Sequence, residues 1–177
     1  PGWGWEDVKP YFVRAENNER GANDWHGRGG PFNVADLRAP NRFSQYFTDA
    51  GVQAGHPHNT DFNGATQEGV GLYQVTHKNG ERHSAAKGYL TPHLARPNLQ
   101  VITGAHATRI LFDGTRAVGV EYRQGGAIKQ VRAGREVLLS AGALLSPQLL
   151  MLSGVGPAAH LQQHGIPVLH DLPGVGQ

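Results

Sequence analysis

The first twenty residues place their apolar side chains at helical spacing. Trp5, Val8 and Phe12 stand three or four positions apart, which is typical of one face of an amphipathic helix. Pro10 interrupts this pattern. Because proline is accommodated best at the first position of a helix, we expect one helical turn and then a second helix that begins near Pro10. Residues 21–40 are rich in glycine and predict a loop.

The middle of the chain combines short predicted elements with polar loops. Apolar residues at helical spacing from Phe43 onward predict a helix that ends near Gly55. Residues 70–76 predict a strand between two turns. Ser84 is suited to cap a short helix that continues through Leu90, since its hydroxyl can accept a backbone hydrogen bond.

Strand patterns dominate after residue 98. Val118, Val120 and Tyr122 alternate with polar or small residues, as in a strand with one buried face. Asp113-Gly114 and Gly125-Gly126 are typical turn pairs. Four strands are predicted, at residues 99–103, 106–112, 117–123 and 128–132. Together they predict an antiparallel meander.

A buried strand and further helices are predicted near the end of the chain. Residues 137–139 are apolar at every position, which is typical of a strand covered on both faces. After a turn of small residues, Ser146-Pro147 predicts a helix start, with serine as N-cap and proline at the first helical position. Gly154 predicts the end of this helix. Two more elements are predicted, a helix at residues 157–164 and a strand at residues 167–169.

Composition and charge exclude several classes of protein. With 177 residues, 25 of them glycine and 11 proline, the chain has room for one domain or two small lobes and is too loop-rich for a helical bundle. The net charge of +2 comes from scattered residues, so no nucleic-acid partner is predicted. No apolar run approaches the length of a transmembrane segment. The lack of cysteine excludes disulfides and thiolate metal sites and fits a reducing, cytoplasmic location.

Histidine spacing suggests metal sites that the rest of the sequence does not support. His56, His58 and Asp61 could share a metal ion, as could His160 and His164, but neither group matches a metal-binding motif. Exposed side chains are therefore favoured, and no metal site is predicted.

Aromatic and acidic side chains stay open to more than one interpretation. The three tryptophans either line a substrate entrance or pack at the edges of a lobe, where the indole N–H can reach a partner: Trp3, Trp5 and Trp25. Sequence spacing also leaves open whether any of three carboxylates pair with one another: Asp24, Asp61 and Glu68.

Residues 136–154 combine a predicted strand, a turn of small residues and a helix. Small residues at such a turn let a ligand approach the backbone. The helix N-terminus beyond it offers unpaired N–H groups and the positive end of the helix dipole. Many α/β folds contain this unit without a ligand, so the pattern by itself leaves both interpretations open.

Residues 142–156 resemble the second signature of the glucose–methanol–choline oxidoreductases. A pair of small residues, then Ser146-Pro147, and finally residues 153–156 (Ser-Gly-Val-Gly) stand at the fixed positions of that signature. Shorter segments along the whole chain are similar to the same family in the same order, among them His26-Gly27 and residues 61–64. The chain is identified as an internal piece of such a protein, cut at both ends. It is most similar to bacterial choline dehydrogenases and dehydrogenases of aliphatic alcohols.

The resemblance implies a fold and a function. The fold is a mixed α/β fragment: residues 98–177 form the returning half of an FAD-binding Rossmann-like domain with the meander, and residues 1–97 form part of the substrate lobe and its connection. The function is oxidation of a primary alcohol, either choline or an aliphatic alcohol, to the aldehyde by hydride transfer to flavin.

The resemblance also implies which residues meet the cofactor. Ala107, in the segment 103–107, matches a backbone contact to the adenine end of FAD. Ser140, Ala141 and Gly142 match the strand end that packs along the adenosine and ribose. The family's glycine-rich FAD motif and its catalytic histidine match no part of this sequence, so no catalytic residue is assigned.

These gaps lead to expectations about the chain by itself. Isolated, it is expected to be inactive and without FAD, and to leave apolar surface that a second copy could cover in a homodimer. A non-catalytic binding or structural module and one chain of a split flavoenzyme are the alternatives. For the parent protein, a small alcohol is the expected partner, with a cytoplasmic location or peripheral attachment at the inner membrane.

Overall fold

The computed structural model describes residues 2–177. The chain divides into two compact units, the first ending at Gln100 and the second running from Val101 to Gln177, and each unit is described by itself. Within residues 2–177 the secondary structure is mixed α/β with four small sheets, which confirms the predicted fold class. The assignment of residues 1–97 to a substrate lobe and of residues 98–177 to a cofactor domain stays a prediction.

The first unit opens with helix α1 (Trp5–Ala15). The carboxylate of Asp7 accepts the backbone N–H of Gly4 at 3.1 Å and so caps the helix N-terminus. Pro10 lies inside this helix rather than at the start of a second one, so the predicted break is wrong. The proline is tolerated because both Pro10 and Glu6, whose carbonyl loses its helical partner, are exposed to water.

Two short strands lie at the C-terminus of α1 and in the predicted loop. β1 (Glu16–Asn18) pairs in parallel with β2 (Phe32–Val34). Gly27, in the connection between the two strands, lies so close to α1 that a β-carbon on it would be 1.7 Å from the carbonyl oxygen of Val13. The loop predicted over residues 21–40 is therefore wrong at β2, whose partner lies too far along the chain for a local pattern to indicate it.

Helix α2 (Arg42–Gln53) confirms the helix predicted from Phe43. Its N-cap is Asn41, whose side-chain oxygen accepts the backbone N–H of Phe43 at 2.9 Å. The helix ends close to the predicted position, and Gly55 follows it with a φ of 95°. This conformation suits glycine after a helix C-terminus.

The strand predicted at residues 70–76 is wrong. Val70 and Val75 each form only an isolated bridge, and they do so with different partners, so no continuous strand develops. A short hairpin follows, in which β3 (His77–Lys78) pairs antiparallel with β4 (Glu81–Arg82).

A helical segment predicted after Ser84 closes the first unit. A π-helical segment spans Ala86–Leu90 and continues as a 3-10 turn over Thr91–His93. The hydroxyl of Ser84 accepts the backbone N–H of Lys87 at 3.3 Å, which confirms its predicted capping role.

The second unit is built on a three-stranded antiparallel sheet. β5 (His106–Asp113), β6 (Arg116–Gln124) and β7 (Ala127–Arg132) lie in that order and confirm the predicted meander. No strand is present at residues 99–103, so that prediction is wrong. Val101 is 45% exposed there, since no neighbouring strand of this chain pairs with the segment.

Helix α3 (Gly142–Leu152) packs against β5. It begins ahead of the predicted start, so Ser146 and Pro147 lie inside it and the predicted N-cap is wrong. Ser146 still stabilises the helix N-terminus, because its hydroxyl accepts a hydrogen bond from the backbone N–H of Ala141 at 3.0 Å. The predicted stop at Gly154 is confirmed by its φ of 87°.

A parallel strand pair completes the second unit. β8 (Val155–Gly156) pairs with β9 (His170–Asp171), and α4 (Ala158–Gln163) connects them. The helix predicted at residues 157–164 is confirmed, whereas the predicted last strand lies three residues further along, where it meets β8. The buried apolar side chains of this unit are Ile110, Leu149, Val155 and Leu161.

Residues 137–139 do not form the buried strand that their apolar run predicts. Leu138 is 80% exposed, and Leu144 in the first turn of α3 is 84% exposed. A strand covered on both faces needs neighbours on both sides, and the described chain supplies none. Apolar surface is therefore uncovered here, as expected. No helix within residues 2–177 combines the length and apolar character needed to cross a bilayer.

Candidate functional site

The segment that carries Ala107 is fixed at the start of the meander. The side-chain amide of Gln124 donates to the carbonyl of Thr103 at 2.9 Å. Ala107 follows near the beginning of β5, where it is exposed and pairs with Tyr122. Because β5 is an edge strand, a backbone position with a small side chain is accessible here from solvent.

A β-bulge follows Ala107 directly. Ala107 is opposite Tyr122 and Arg109 is opposite Glu121, so Thr108 is an extra residue in the edge strand. The carboxylate of Glu121 accepts hydrogen bonds from Arg109 and from Thr108, each at 2.9 Å. These bonds hold the pKa of Glu121 below its usual value. They also fix the bulge next to the candidate contact residue.

Ser140 and Ala141 are exposed just ahead of α3, and Gly142, also exposed, is the first residue of that helix. Gly142 has a φ of 88°, a conformation that disfavours any residue with a β-carbon. No atom lies within 4 Å of the position that its β-carbon would take. Small side chains and open space therefore leave the backbone and the N-terminus of α3 accessible to a ligand, which fits a nucleotide bound through main-chain contacts.

The candidate metal groups do not assemble. Within residues 2–177 no set of three or more His, Asp or Glu side chains is placed to hold a metal ion. His160 and His164 contact each other edge to face, with ring centres 4.8 Å apart. Asp61, considered as a partner for another carboxylate, contacts His26 instead.

His26 is the polar residue that sequence reasoning missed. It is 6% exposed and lies between two carboxylates. Its Nδ1 is 2.9 Å from Glu16 Oε2, and its Nε2 is 2.9 Å from Asp61 Oδ2. The partners are 10 and 35 residues away along the chain. The one available signal was that His26-Gly27 and residues 61–64 both resemble family segments.

Electrostatics favour the charged form of His26. Burial lowers the pKa of this histidine, but the hydrogen bonds to Glu16 and Asp61 outweigh burial, so the pKa lies above its ordinary value of 6.5. Glu16 is fixed further by the backbone N–H of Gly27 at 2.9 Å and by the side-chain amide of Asn18 at 3.1 Å.

An aromatic cavity of about 550 Å³ adjoins this cluster. The indole rings of Trp5 and Trp25 stack in it with centres 6.4 Å apart, and the ammonium of Lys9 lies 4.3 Å from the centre of the Trp25 ring. Trp5 and Trp25 line the cavity, which agrees both with a substrate entrance and with packing at the edge of a lobe. Trp3 is 88% exposed and is not among the lining residues. Side chains from three separate segments line the cavity, among them Phe12, Phe32, Phe62 and His26.

The sequence model described as GMC oxidoreductase matches residues 1–177. The chain belongs to the GMC oxidoreductase family. Residues 142–156, which resemble a family signature, run from α3 to β8, and their first residue, Gly142, is the last residue of the turn at Ser140–Gly142.

Curated relatives of this GMC oxidoreductase chain include alcohol and choline dehydrogenases. An alcohol dehydrogenase (acceptor) of Pseudomonas putida is 49% identical over 178 residues, which are 99% of this chain and 32% of the relative. An oxygen-dependent choline dehydrogenase of Brucella ovis is 48% identical over 176 residues, with the same coverage of 99% and 32%. The chain thus spans about a third of the length of these relatives.

Solved structures of family members share the fold. An FAD-dependent oxidoreductase from Chaetomium thermophilum matches with a TM-score of 0.89 and 31% identity, over 100% of this chain and 33% of that one. A pyridoxine 4-oxidase from Mesorbium loti matches with a TM-score of 0.86 and 33% identity, over 97% of this chain and 34% of that one.

Proposed function

We propose that the protein containing this chain uses FAD to oxidise a primary alcohol to the aldehyde. The observation that carries the proposal is the turn at Ser140–Gly142, where a family signature coincides with exposed, small-residue backbone at the start of α3. The two curated relatives are named for alcohol and choline oxidation, which supports the same chemistry.

In this proposal the residues of this chain contact FAD within the whole protein, and none of them reacts with the substrate. The backbone at Ala107 contacts the adenine end of FAD, and Ser140, Ala141 and Gly142 lie along the adenosine and ribose. When bound, FAD supplies the hydride acceptor for the alcohol carbon. No catalytic role is assigned to any residue of the chain, and by itself the chain is expected to be inactive.

Choline and an aliphatic alcohol are both candidate substrates. Sequence identity does not separate them, because the alcohol dehydrogenase and the choline dehydrogenase are 49% and 48% identical to this chain. Mixing the purified protein with choline or with a medium-chain primary alcohol, without oxygen, distinguishes them. Bleaching of the oxidised flavin absorbance identifies the substrate, and bleaching by neither alcohol contradicts the proposed reaction.

The cofactor contacts are tested by one substitution and a matched control. Gly142→Ala places a β-carbon on backbone with a φ of 88°, so the turn must shift and FAD affinity is expected to fall by roughly tenfold or more. Gly134→Ala is the control, because its β-carbon position is equally open but its backbone does not have a positive φ. If both variants keep the circular dichroism of the unmodified protein and bind FAD equally well, the assigned contact at Gly142 is contradicted.

The two alternatives make different predictions for the 177-residue chain. A non-catalytic module takes up no FAD, and the whole protein that contains it shows no flavin absorbance. A chain of a split flavoenzyme takes up FAD only when a second polypeptide is added. Flavin absorbance after gel filtration, for the chain and for the whole protein, separates these outcomes from the proposed function.

A further inference from the structure

We propose that His26 is a proton-dependent clamp on one wall of the aromatic cavity. Protonated, His26 holds the loop of residues 59–64 through Asp61. Neutral, it keeps its bond to Glu16 and releases Asp61. The loop contributes Phe62 to the cavity lining, so the protonation of one buried side chain determines whether the Asp61 contact helps to hold this wall.

The hydrogen-bond geometry requires an extra proton. An ionised carboxylate only accepts hydrogen bonds, and a neutral imidazole carries one N–H. Both ring nitrogens of His26 nevertheless lie 2.9 Å from a carboxylate oxygen, one from Glu16 and one from Asp61. Both bonds can form only if the cluster holds one proton more than a neutral imidazole between two carboxylates. Loss of that proton leaves one carboxylate facing a nitrogen lone pair.

The two carboxylates are not held equally, which determines the one that is released. Glu16 also accepts the backbone N–H of Gly27 at 2.9 Å and the amide of Asn18 at 3.1 Å. The other donor that contacts the Asp61 carboxylate is the backbone N–H of Asn63, at 3.2 Å and exposed. The Asp61 side chain is 30% exposed and that of Glu16 is 17% exposed. Water can therefore replace His26 at Asp61 more readily than at Glu16.

Charged and polar groups reach His26 from several neighbouring segments. The two carboxylates face the ring directly, and the neutral side chain of Asn18 approaches Nδ1 at 3.2 Å. Two cations lie on adjacent segments: the ammonium of Lys9 is over a tryptophan ring, and Arg20 donates to the carbonyl of Thr60 at 2.6 Å. Because the pKa of His26 is raised by folding, the clamp is closed below about pH 6.5 and opens as the pH rises through the higher folded pKa.

Hydrogen exchange measured by mass spectrometry on the purified protein tests the clamp. Two backbone amides report on the two carboxylates. The N–H of Gly27 donates to Glu16, and the N–H of Asn63 donates to Asp61. Between about pH 6 and about pH 9, with rates divided by their intrinsic values, we expect roughly tenfold loss of protection in the peptide that spans Asn63. The peptide that spans Gly27 should keep its protection.

Three variants separate the clamp from general loosening at high pH. His26→Gln cannot change charge, so the Asn63 peptide should lose its pH dependence. Asp61→Asn should lower the pKa of His26, measured by its imidazole proton resonance, because one carboxylate is removed. His56→Gln, at an exposed position, should behave as the unmodified protein does.

Two results would overturn the proposal. One is protection of the Asn63 peptide that does not change with pH, and the other is equal loss of protection in both peptides. If His26→Gln does not fold, the comparison of the two peptides in the unmodified protein still decides. FAD content measured on the same samples is independent of these peptides, so failure of the clamp and failure of the proposed function are distinguishable.

Discussion

The hydroxyl of Ser153, directly after α3, accepts the backbone N–H of Ile110 in β5 at 2.8 Å. The same hydroxyl donates to the carbonyl of Leu149 at 2.6 Å. Ile110 is 6% exposed, so its N–H depends on this serine for a partner. A residue of the family signature thus joins the helix to the edge of the meander.

Replacing Ser153 with alanine is expected to destabilise the second unit by about 1–3 kcal/mol. The reason is that a part-buried backbone N–H loses its acceptor. Denaturant unfolding of the 177-residue chain measures the change in the free energy of unfolding. Ser44→Ala, at an exposed position of α2, is the control and should change it by less than about 0.5 kcal/mol. Equal effects of both substitutions contradict the role of Ser153.

Replacing Gly27 with alanine is expected to destabilise the first unit by at least about 2 kcal/mol. A β-carbon there would lie 1.7 Å from the carbonyl oxygen of Val13, and backbone atoms cannot move aside as a side chain can. Thermal unfolding followed by circular dichroism checks this expectation. Gly134→Ala provides the control, since its β-carbon position is open. If the Gly27→Ala chain is as stable as this control, Gly27 does not lie so close to the carbonyl oxygen of Val13.

The stability of the second unit is expected to fall in acid through Glu121. Hydrogen bonds from Arg109 and Thr108 hold the folded pKa of Glu121 below 4.5. Its contribution is therefore present above about pH 4.5 and is lost as the pH falls through the lower folded value. Denaturation midpoints at about pH 7 and about pH 3 measure this loss. Glu121→Gln should reduce the difference between the midpoints, whereas Glu136→Gln, at an exposed position, should preserve it.

Self-association through the exposed apolar surface of the second unit stays a prediction. Leu138 and Leu144 are 80% and 84% exposed, and apolar side chains so exposed favour association. Sedimentation velocity over a range of chain concentrations should show a dimer, and Leu138→Ser should weaken it. Leu37→Ser in the first unit, at a residue 39% exposed, should not. A chain that is monomeric at every concentration contradicts the expected homodimer.

Local patterns predicted the elements whose causes are local. Helix α2 was predicted from apolar spacing, and the meander from alternation and turn pairs, because those signals act within a few residues. The predictions that helices begin at Pro10 and at Pro147 were wrong. Pro10 and Pro147 lie inside helices, since the effect of a proline depends on whether the carbonyl that it leaves unpaired can reach water.

The sequence by itself determined the family and the mixed α/β class, because the signature and the meander are written in contiguous residues. Only the tertiary structure decided that Glu16, His26 and Asp61 meet, because a hydrogen bond between segments 10 and 35 residues apart leaves no periodic trace in the chain. It also decided that residues 137–139 pair with no strand and that Leu138 is exposed. An apolar run can form a buried strand only where neighbouring strands are present to cover it.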